Sequence, residues 1–208
     1  MATIKNVVFD FGGVIALMDF NRARSRFLEL GVKNIDDYLD VATQKDFFGQ
    51  LEDGTITAEQ FREKLSKVVG REFTLEQCEY AWKGFIVDVP ERNLQGLRDL
   101  RAQGYSLALL SNTNPFIGGM MMRDPNFDGK GHSLISYFDG AFLSFERRLM
   151  KPDARIFQLM LDEMHYNPQE TLFVDDSQGN CTAAQALGIH TFCPLNGENW
   201  PETIKKYL

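Results

Sequence analysis

Side chains that could act on a phosphate ester stand at the ends of three apolar segments. Asp10 follows the run "NVVF", and Ser111 ends the run "SLALLS". Asp175 and Asp176 follow the third run, "TLFV". Carboxylate oxygens are hard ligands that suit Mg²⁺, a hydroxyl can hold phosphate oxygens, and an aspartate can attack phosphorus. These residue types predict a magnesium site and a phosphoryl-transfer nucleophile, if the fold brings them together.

Lys151 would supply the positive charge that such a site needs. It opens the segment "KPDARIFQ", which precedes the third apolar run, and it could reach the same edge. A lysine and a Mg²⁺ ion together offset the repulsion between an aspartate nucleophile and an anionic substrate. Each of these residues alone has an explanation without chemistry, as a helix cap, a turn or a surface charge. Their occurrence together favours the catalytic interpretation.

The apolar runs that carry these residues are typical of strands buried on both faces. "GIHTFC" and "FDGAFLS" are two further strand candidates, and helical spacing marks "PERNLQGLRDLRAQG", "DARIFQLMLDEMHY" and "GNCTAAQALGI". The alternation predicts an α/β fold with a doubly wound, Rossmann-like parallel sheet. In such sheets ligands gather at the carboxyl ends of the strands, which is where Ser111 and the acidic residues stand.

Residues 21–82 interrupt this alternation, because they contain no strand-like run. The segments Thr57–Gln60 and Thr74–Gln77 are capping boxes that predict helix starts. We predict an inserted cap of four helices at 18–87 and an α/β core made of 1–17 and 88–208. The charged stretch "EDGTITAEQFREK" is interpreted as a solvated helix face. The cap should choose the substrate, and its candidate lining residues are Phe20, Lys45, Phe47, Phe48 and Trp82.

Composition excludes several classes of protein. The chain has 208 residues, of which 44% are hydrophobic and 25% are charged, an ordinary balance for a globular domain. The net charge of -7, without a basic stripe, predicts no nucleic-acid partner. No apolar run has the length of a membrane span, so no membrane association is expected. The three widely spaced cysteines are typical of free thiols in a reducing cytoplasm.

Four motifs, in the order "VVFDFGG", "LALLSN", "KPD" and "LFVDDSQGN", resemble those of the haloacid dehalogenase-like hydrolases. The likeness spans essentially the whole chain, and the helical insert after the first motif resembles the cap of subfamily I. The sequence is most similar to a bacterial subgroup of sugar-phosphate phosphatases that includes phosphatases of α-D-glucose 1-phosphate. The resemblance implies a cytoplasmic, Mg²⁺-dependent phosphatase of a small phosphorylated metabolite, expected to be a sugar phosphate. It leaves open whether the protein is a monomer or a dimer.

The resemblance implies roles in catalysis and phosphate binding. Asp10 would be the nucleophile, which forms an aspartyl-phosphate intermediate that water then hydrolyses. Lys151 would neutralise charge between Asp10 and the phosphate. Ser111 and the backbone of Asn112 would bind the phosphoryl group.

The resemblance also implies a set of metal ligands. Asp10 and Asp176 would ligate Mg²⁺, and Asp175 would lie close by, bound to the ion or just behind it. The backbone carbonyl of Gly12 would be the third protein ligand. One departure from the family lies near this site, because Asn180 replaces an aspartate that often supports the lysine.

Gly12 is the more serious departure. Most phosphatases of the family carry a second aspartate there, which protonates the leaving group as a general acid. Such help is worth about 10²–10⁴-fold in rate, and a glycine cannot give it. The glycine therefore favours a substrate whose leaving group departs with little proton help, such as a glycosyl phosphate.

Two alternatives remain open from the sequence. One is a different hydrolase on the same fold, either a dehalogenase that needs no metal or a phosphonatase that needs a cap lysine. The other is a catalytically weak phosphate-binding protein that lacks the general acid at Gly12. The pair Asp175 and Asp176 speaks against a dehalogenase, because that reaction has no use for a metal site.

Overall fold

A computed structural model of the chain describes residues 3–40 and 44–208. Within them, a five-stranded sheet has the order β5-β4-β1-β6-β7, and every neighbouring pair runs parallel. Its strands are β1 Asn6–Phe9, β4 Ser106–Ser111, β5 Gly140–Leu143, β6 Thr171–Val174 and β7 His190–Phe192. A short antiparallel ribbon of β2 Leu17–Met18 and β3 Ile86–Asp88 stands apart from this sheet.

Helices follow the strands and cover both faces of the sheet. They are α1 Phe20–Glu29, α2 Asp46–Glu52, α3 Ala58–Val69, α4 Leu75–Trp82, α5 Glu91–Ala102, α6 Ser144–Arg147, α7 Ala154–Met164, α8 Gln178–Gln185 and α9 Trp200–Thr203. The predicted α/β, doubly wound parallel sheet is confirmed. No helix in the described part of the chain is both long and apolar enough to cross a membrane.

Alternate residues of the central strand pack into two separate apolar cores. Val7 and Phe9 face the larger core, which includes Leu97 of α5. Val8 faces the smaller core, which includes Phe157 of α7. Because both faces of β1 are buried, its sequence is continuously apolar, and the first polar side chain stands where the strand ends.

The four helices α1–α4 lie between the ribbon strands β2 and β3, inside the range predicted for the cap. Both predicted capping boxes are present, with Thr57 bonded to Gln60 and Thr74 bonded to Gln77 at the starts of α3 and α4. Aromatic rings fill the interior of this four-helix layer, with centroids 4.8–5.9 Å apart; they include Phe27, Phe47, Phe48, Phe61 and Trp82. The ribbon that joins the layer to the sheet has strands of two and three residues, and its pattern was too short to predict.

Candidate active site

The carboxyl ends of β1, β4 and β6 meet at one edge of the sheet and bring the predicted residues together. Asp10 follows β1, Ser111 ends β4, and Asp175 and Asp176 follow β6. Since β1 pairs with both β4 and β6, these ends are direct neighbours. They open onto a cleft of about 660 Å³ between the sheet edge and helices α1–α4.

Lys151 is buried at this edge and holds two carboxylates. Its ammonium nitrogen lies 3.0 Å from Asp10 Oδ1 and 2.5 Å from Asp175 Oδ2, and it donates to the carbonyl of Leu110 at 2.8 Å. Burial works to lower the pKa of Lys151, but the charges of Asp10 and Asp175 outweigh it and hold the pKa above its ordinary value. The lysine is therefore a fixed cation beside the carboxylate of Asp10.

The side chain of Asn112 positions Lys151 through the backbone. Asn112 donates to the Lys151 carbonyl and accepts from the Lys151 amide, each at 2.8 Å. The side chain of Asn112 is thus bonded within the protein, and the residue lines the cleft beside Ser111. This bidentate lock was not predicted, because its two partners are 39 residues apart in the chain.

Asp175 is saturated by other protein groups. It is fully buried, and Oδ1 accepts from the Ser177 amide at 2.8 Å and from Asn180 Nδ2 at 3.0 Å. Oδ2 accepts from Lys151, and Asn180 also lies 3.1 Å from it. Asn180, the departure noted in the sequence, thus orients Asp175, which in turn supports Lys151.

Asp176 lies against Gly13, the second glycine of "DFGG". A Cβ atom at position 13 would overlap the carboxylate of Asp176, and the backbone there has φ of 72°, a conformation that favours glycine. Burial, followed by the charges of Asp10 and Asp175, raises the pKa of Asp176 to about 7. Gly13 therefore makes room for a carboxylate that lies in a crowd of like charges.

The residues at this edge fit a divalent cation. Oxygen atoms of Asp10, Asp175 and Asp176, one from each residue, lie within 4.8 Å of one another. Burial raises the pKa of Asp10, with Lys151 acting in the opposite direction. Three carboxylates face one ammonium group here, so a Mg²⁺ ion would neutralise the excess negative charge.

Met18 occupies the space beside Gly12. A Cβ atom at Gly12 would lie 3.3 Å from the Sδ and Cε atoms of Met18. Asn196 fixes the backbone of Met18 by bonding its amide and its carbonyl, at 3.1 and 2.9 Å. A thioether therefore borders the position where the family's general acid would stand, and it has no proton to give.

Helices α1, α2 and α4 supply the other side of the cleft, and three of the five residues predicted to line it do not do so. Phe47 and Phe48 are buried inside the aromatic layer rather than lining the cleft, and Lys45 points outward to pair with Asp40. Phe20 and Trp82 do line the cleft, as predicted. The amphipathic spacing of α2 could not distinguish a residue of the helical interior from one that faces a ligand.

Glu52 was missed, because the sequence placed it in a charged stretch interpreted as solvated. It ends α2, and the structure places it at the cleft beside apolar side chains. Burial, with a smaller effect from the charge of Asp53, raises the pKa of Glu52 to about 8. Its neighbour Leu51 is fully buried. An apolar residue directly before a charged stretch is a sequence signal that this end of α2 faces the interior.

Comparisons with known proteins agree with this site. A family model described as "haloacid dehalogenase-like hydrolase" matches residues 4–188. The chain is 41% identical over 205 residues to D-ribitol-5-phosphate phosphatase of Bacteroides thetaiotaomicron, which covers 99% of this chain and 98% of that protein.

Two solved structures resemble the whole chain. One is described as a predicted HAD-like family hydrolase from Porphyromonas gingivalis, with a TM-score of 0.92 and 38% identity over 99% of this chain and 98% of that one. The other is a wild-type HAD family enzyme from Bacteroides thetaiotaomicron in complex with magnesium and inorganic phosphate. Its TM-score is 0.87 at 34% identity, over 96% of this chain and 98% of that one.

Proposed function

We infer the function of this chain from its family and its site: it belongs to the haloacid dehalogenase-like hydrolases, and we propose that it is a Mg²⁺-dependent phosphatase. The observation that carries the proposal is the ion pair of Asp10 with buried Lys151 at the cleft, beside Asp176. A carboxylate held against a fixed cation at a strand end is suited to attack a phosphate ester. The full-length relative crystallised with magnesium and inorganic phosphate supports the same chemistry.

The reaction has two balanced steps on Asp10. In the first, a carboxylate oxygen of Asp10 forms a bond to phosphorus as the ester P–O bond breaks, and the leaving oxygen takes a proton from solvent. In the second, water attacks phosphorus and the aspartyl P–O bond breaks. This releases inorganic phosphate and one proton and restores the carboxylate of Asp10.

The neighbouring residues would bind the phosphoryl group and lower its barrier. Lys151 would offset negative charge between Asp10 and the phosphate, while the Ser111 hydroxyl and the Asn112 amide would hold phosphate oxygens. Asp10, Asp176 and the Gly12 carbonyl would hold Mg²⁺, which supplies Lewis-acid charge when bound. We assign Asp175 to positioning Lys151, because its two oxygens already accept hydrogen bonds from protein groups.

The substrate class proposed is a phosphate ester of a small sugar or sugar alcohol. The curated relative is named for D-ribitol 5-phosphate, which is a primary alkyl ester. The glycine at position 12 pointed instead to glycosyl phosphates. Both kinds of ester share an uncharged leaving group that carries several hydroxyls, and this shared chemistry is what we propose for the chain. The free thiols Cys78, Cys181 and Cys193 fit the proposed location in a reducing cytoplasm.

A substrate screen with metal control tests the proposal. The protein, stripped with EDTA, would be given ribitol 5-phosphate, glucose 1-phosphate or a 2-haloacid, each with and without added Mg²⁺. We expect phosphate release that depends on Mg²⁺, and no halide release. Halide release that chelation leaves unchanged would identify a dehalogenase, and phosphate binding without turnover would identify a binding protein; either result would overturn the proposal.

A further inference from the structure

Helices α2 and α4 each end at a cleft residue whose polar side-chain group has no hydrogen-bond partner in the described part of the chain. Glu52 lines the cleft at the end of α2, and no side chain or amide of the described residues bonds its carboxyl oxygens. Trp82 also lines the cleft, and its buried indole Nε1 has no acceptor within residues 3–40 and 44–208. A buried N–H without an acceptor loses about 1–3 kcal/mol, which a ligand oxygen in the cleft would restore.

The ring of Trp82 is held in a fixed position. The residue is 1% exposed, its ring stacks on Phe85 with centroids 5.7 Å apart, and Phe27 meets it edge-on at 5.9 Å. Trp82 is therefore fixed in the wall of the cleft by rigid packing, and a ligand that reached its buried N–H would not have to order a flexible side chain.

Glu52 is also anchored, through its backbone. Ser144 donates its hydroxyl to the Glu52 carbonyl at 2.7 Å, and the same hydroxyl oxygen accepts from the amide of Thr113 at 2.9 Å. Thr113 lies two residues beyond Ser111 in the loop after β4. One buried hydroxyl thus joins the end of α2 to the loop that we assign to phosphate binding, and Glu52 stays close to any ester bound there.

The carboxyl group of Glu52 retains a proton at neutral pH, because burial and then the charge of Asp53 raise its pKa to about 8. A neutral carboxyl group both donates and accepts, as hydroxyl ligands require. Helices α1, α3, α4 and α6 pack against α2, and none of their charged groups is a cause of this shift. These groups are Arg22, Arg24, Arg26 and Glu29 on α1, Glu59, Arg62, Glu63, Lys64 and Lys67 on α3, Glu76 and Glu79 on α4, and Glu146 and Arg147 on α6.

The cleft offers no free cation to a charged leaving group. Of the described residues that line it, Lys151 alone is a lysine or arginine, and it is already paired with Asp10 and Asp175. A carboxylate on the leaving group would be buried without a counter-charge, which is costly. The wall around Glu52 therefore accepts hydroxyl groups and disfavours acids.

We propose that Glu52 and Trp82 form a hydroxyl-binding subsite that selects uncharged polyol phosphates over carboxylated phosphate esters. The subsite rests on the proposed phosphatase function, since it takes the alcohol portion of the ester whose phosphate lies at Asp10. Glu52 exchanges hydrogen bonds with one or more hydroxyls, and Trp82 donates to another. We assign both residues to substrate specificity, because in the proposed reaction the leaving oxygen takes its proton from solvent.

The test compares three esters across four proteins. Ribitol 5-phosphate, phosphoglycolate and ethyl phosphate would be given to the wild type, Glu52→Gln, Trp82→Phe and the control Glu59→Gln, an exposed carboxylate on the neighbouring helix α3. In the wild type we expect the KM for ribitol 5-phosphate to rise about tenfold between pH 7 and pH 9, as Glu52 ionises. Ethyl phosphate, which has no hydroxyl, should show no such rise.

The variants should separate the two roles. Glu52→Gln keeps an uncharged polar group, so its KM for ribitol 5-phosphate should stay level between pH 7 and pH 9. Trp82→Phe keeps the ring and removes the N–H, and should lower the preference for ribitol 5-phosphate over ethyl phosphate about tenfold. Glu59→Gln should match the wild type. Three results would each overturn the subsite. The first is an equal change in KM for ribitol 5-phosphate and ethyl phosphate, and the second is a pH profile of Glu52→Gln that matches the wild type. The third is a wild-type protein that prefers phosphoglycolate to ribitol 5-phosphate.

Failure of the proposed function gives a different result. In that case the wild type would release phosphate from none of the esters. Calorimetric titration with ribitol 5-phosphate would still test the subsite: weaker binding to Trp82→Phe than to Glu59→Gln would support it. Equal binding to the two variants would reject it.

Discussion

The two sides of the cleft differ in charge and in how their polar groups are satisfied. On the sheet side, Lys151 and Asp175 are buried and bonded to fixed partners within the protein. On the helical side, Glu52 and Trp82 line the cleft together with the aromatic rings of Phe20 and Phe85, and neither the Glu52 carboxyl group nor the Trp82 indole N–H has a hydrogen-bond partner among the described residues. The charged residues of the sheet side are held in place before a substrate binds, although Mg²⁺ would still have to neutralise their excess negative charge. The polar groups of the helical side, in contrast, would gain partners from the substrate. The contrast teaches that the reacting group is held by charge and the alcohol by uncharged hydrogen bonds.

Replacing Lys151 should have the largest effect on the sheet side, in both stability and turnover. Lys151→Met leaves Asp10 and Asp175 buried without a counter-charge, and loss of one partner from a buried pair costs about 3–5 kcal/mol of stability. Turnover should also fall by about 10²–10³-fold or more, because a charge aimed at the phosphate is gone. Thermal unfolding and phosphate release would be measured beside Lys67→Met, an exposed lysine of α3. Near-identical unfolding and turnover in the two variants would contradict the role of the buried cation.

Replacing Gly13 should weaken Mg²⁺ binding on the sheet side of the cleft and leave the helical side unchanged. Gly13→Ala pushes a Cβ atom into the carboxylate of Asp176, and displacing a group next to a metal typically costs about 10–100-fold in metal affinity. The control is Gly70→Ala, where φ is a similar 77° but no atom lies within 4 Å of the added Cβ. Both variants should lose about 1–2 kcal/mol from the left-handed backbone.

The Mg²⁺ concentration for half-maximal activity separates these two glycine variants. It should rise in Gly13→Ala and stay unchanged in Gly70→Ala. An equal rise in both would mean that backbone strain, rather than the position of Asp176, sets the metal affinity.

Replacing Ser144 should have the smallest effect of the three changes. It removes the hydrogen bonds that join the end of α2 on the helical side to the loop after β4 on the sheet side. Ser144→Ala removes the hydroxyl that bonds Glu52 and Thr113, which should cost about 1–3 kcal/mol of stability. The KM for a polyol phosphate should rise more than kcat falls, because Glu52 loses its anchor. Ser136→Ala, which removes an exposed hydroxyl bonded to Ser133, serves as the control. A fall in kcat without a change in KM would place the effect of Ser144 at the reacting group instead.

The same contrast explains what could be predicted from the sequence. The strands and the acidic strand ends were predictable, because burial on both faces of β1 forces a continuous apolar run up to Asp10. Glu52 and the Phe47–Phe48 pair were not. Their environments depend on how α2 packs against distant elements such as α6, and local periodicity carries no record of that packing.

Substitution of Asp10 tests whether this carboxylate is the nucleophile of a phosphatase. Asp10→Asn keeps the shape of the side chain and removes the nucleophilic charge, while Asp37→Asn changes an exposed aspartate outside the cleft. Phosphate release from ribitol 5-phosphate with saturating Mg²⁺ would be measured for both. We expect a loss of about 10⁴-fold or more in Asp10→Asn and wild-type turnover in Asp37→Asn. Comparable turnover in the two variants would contradict this role of Asp10.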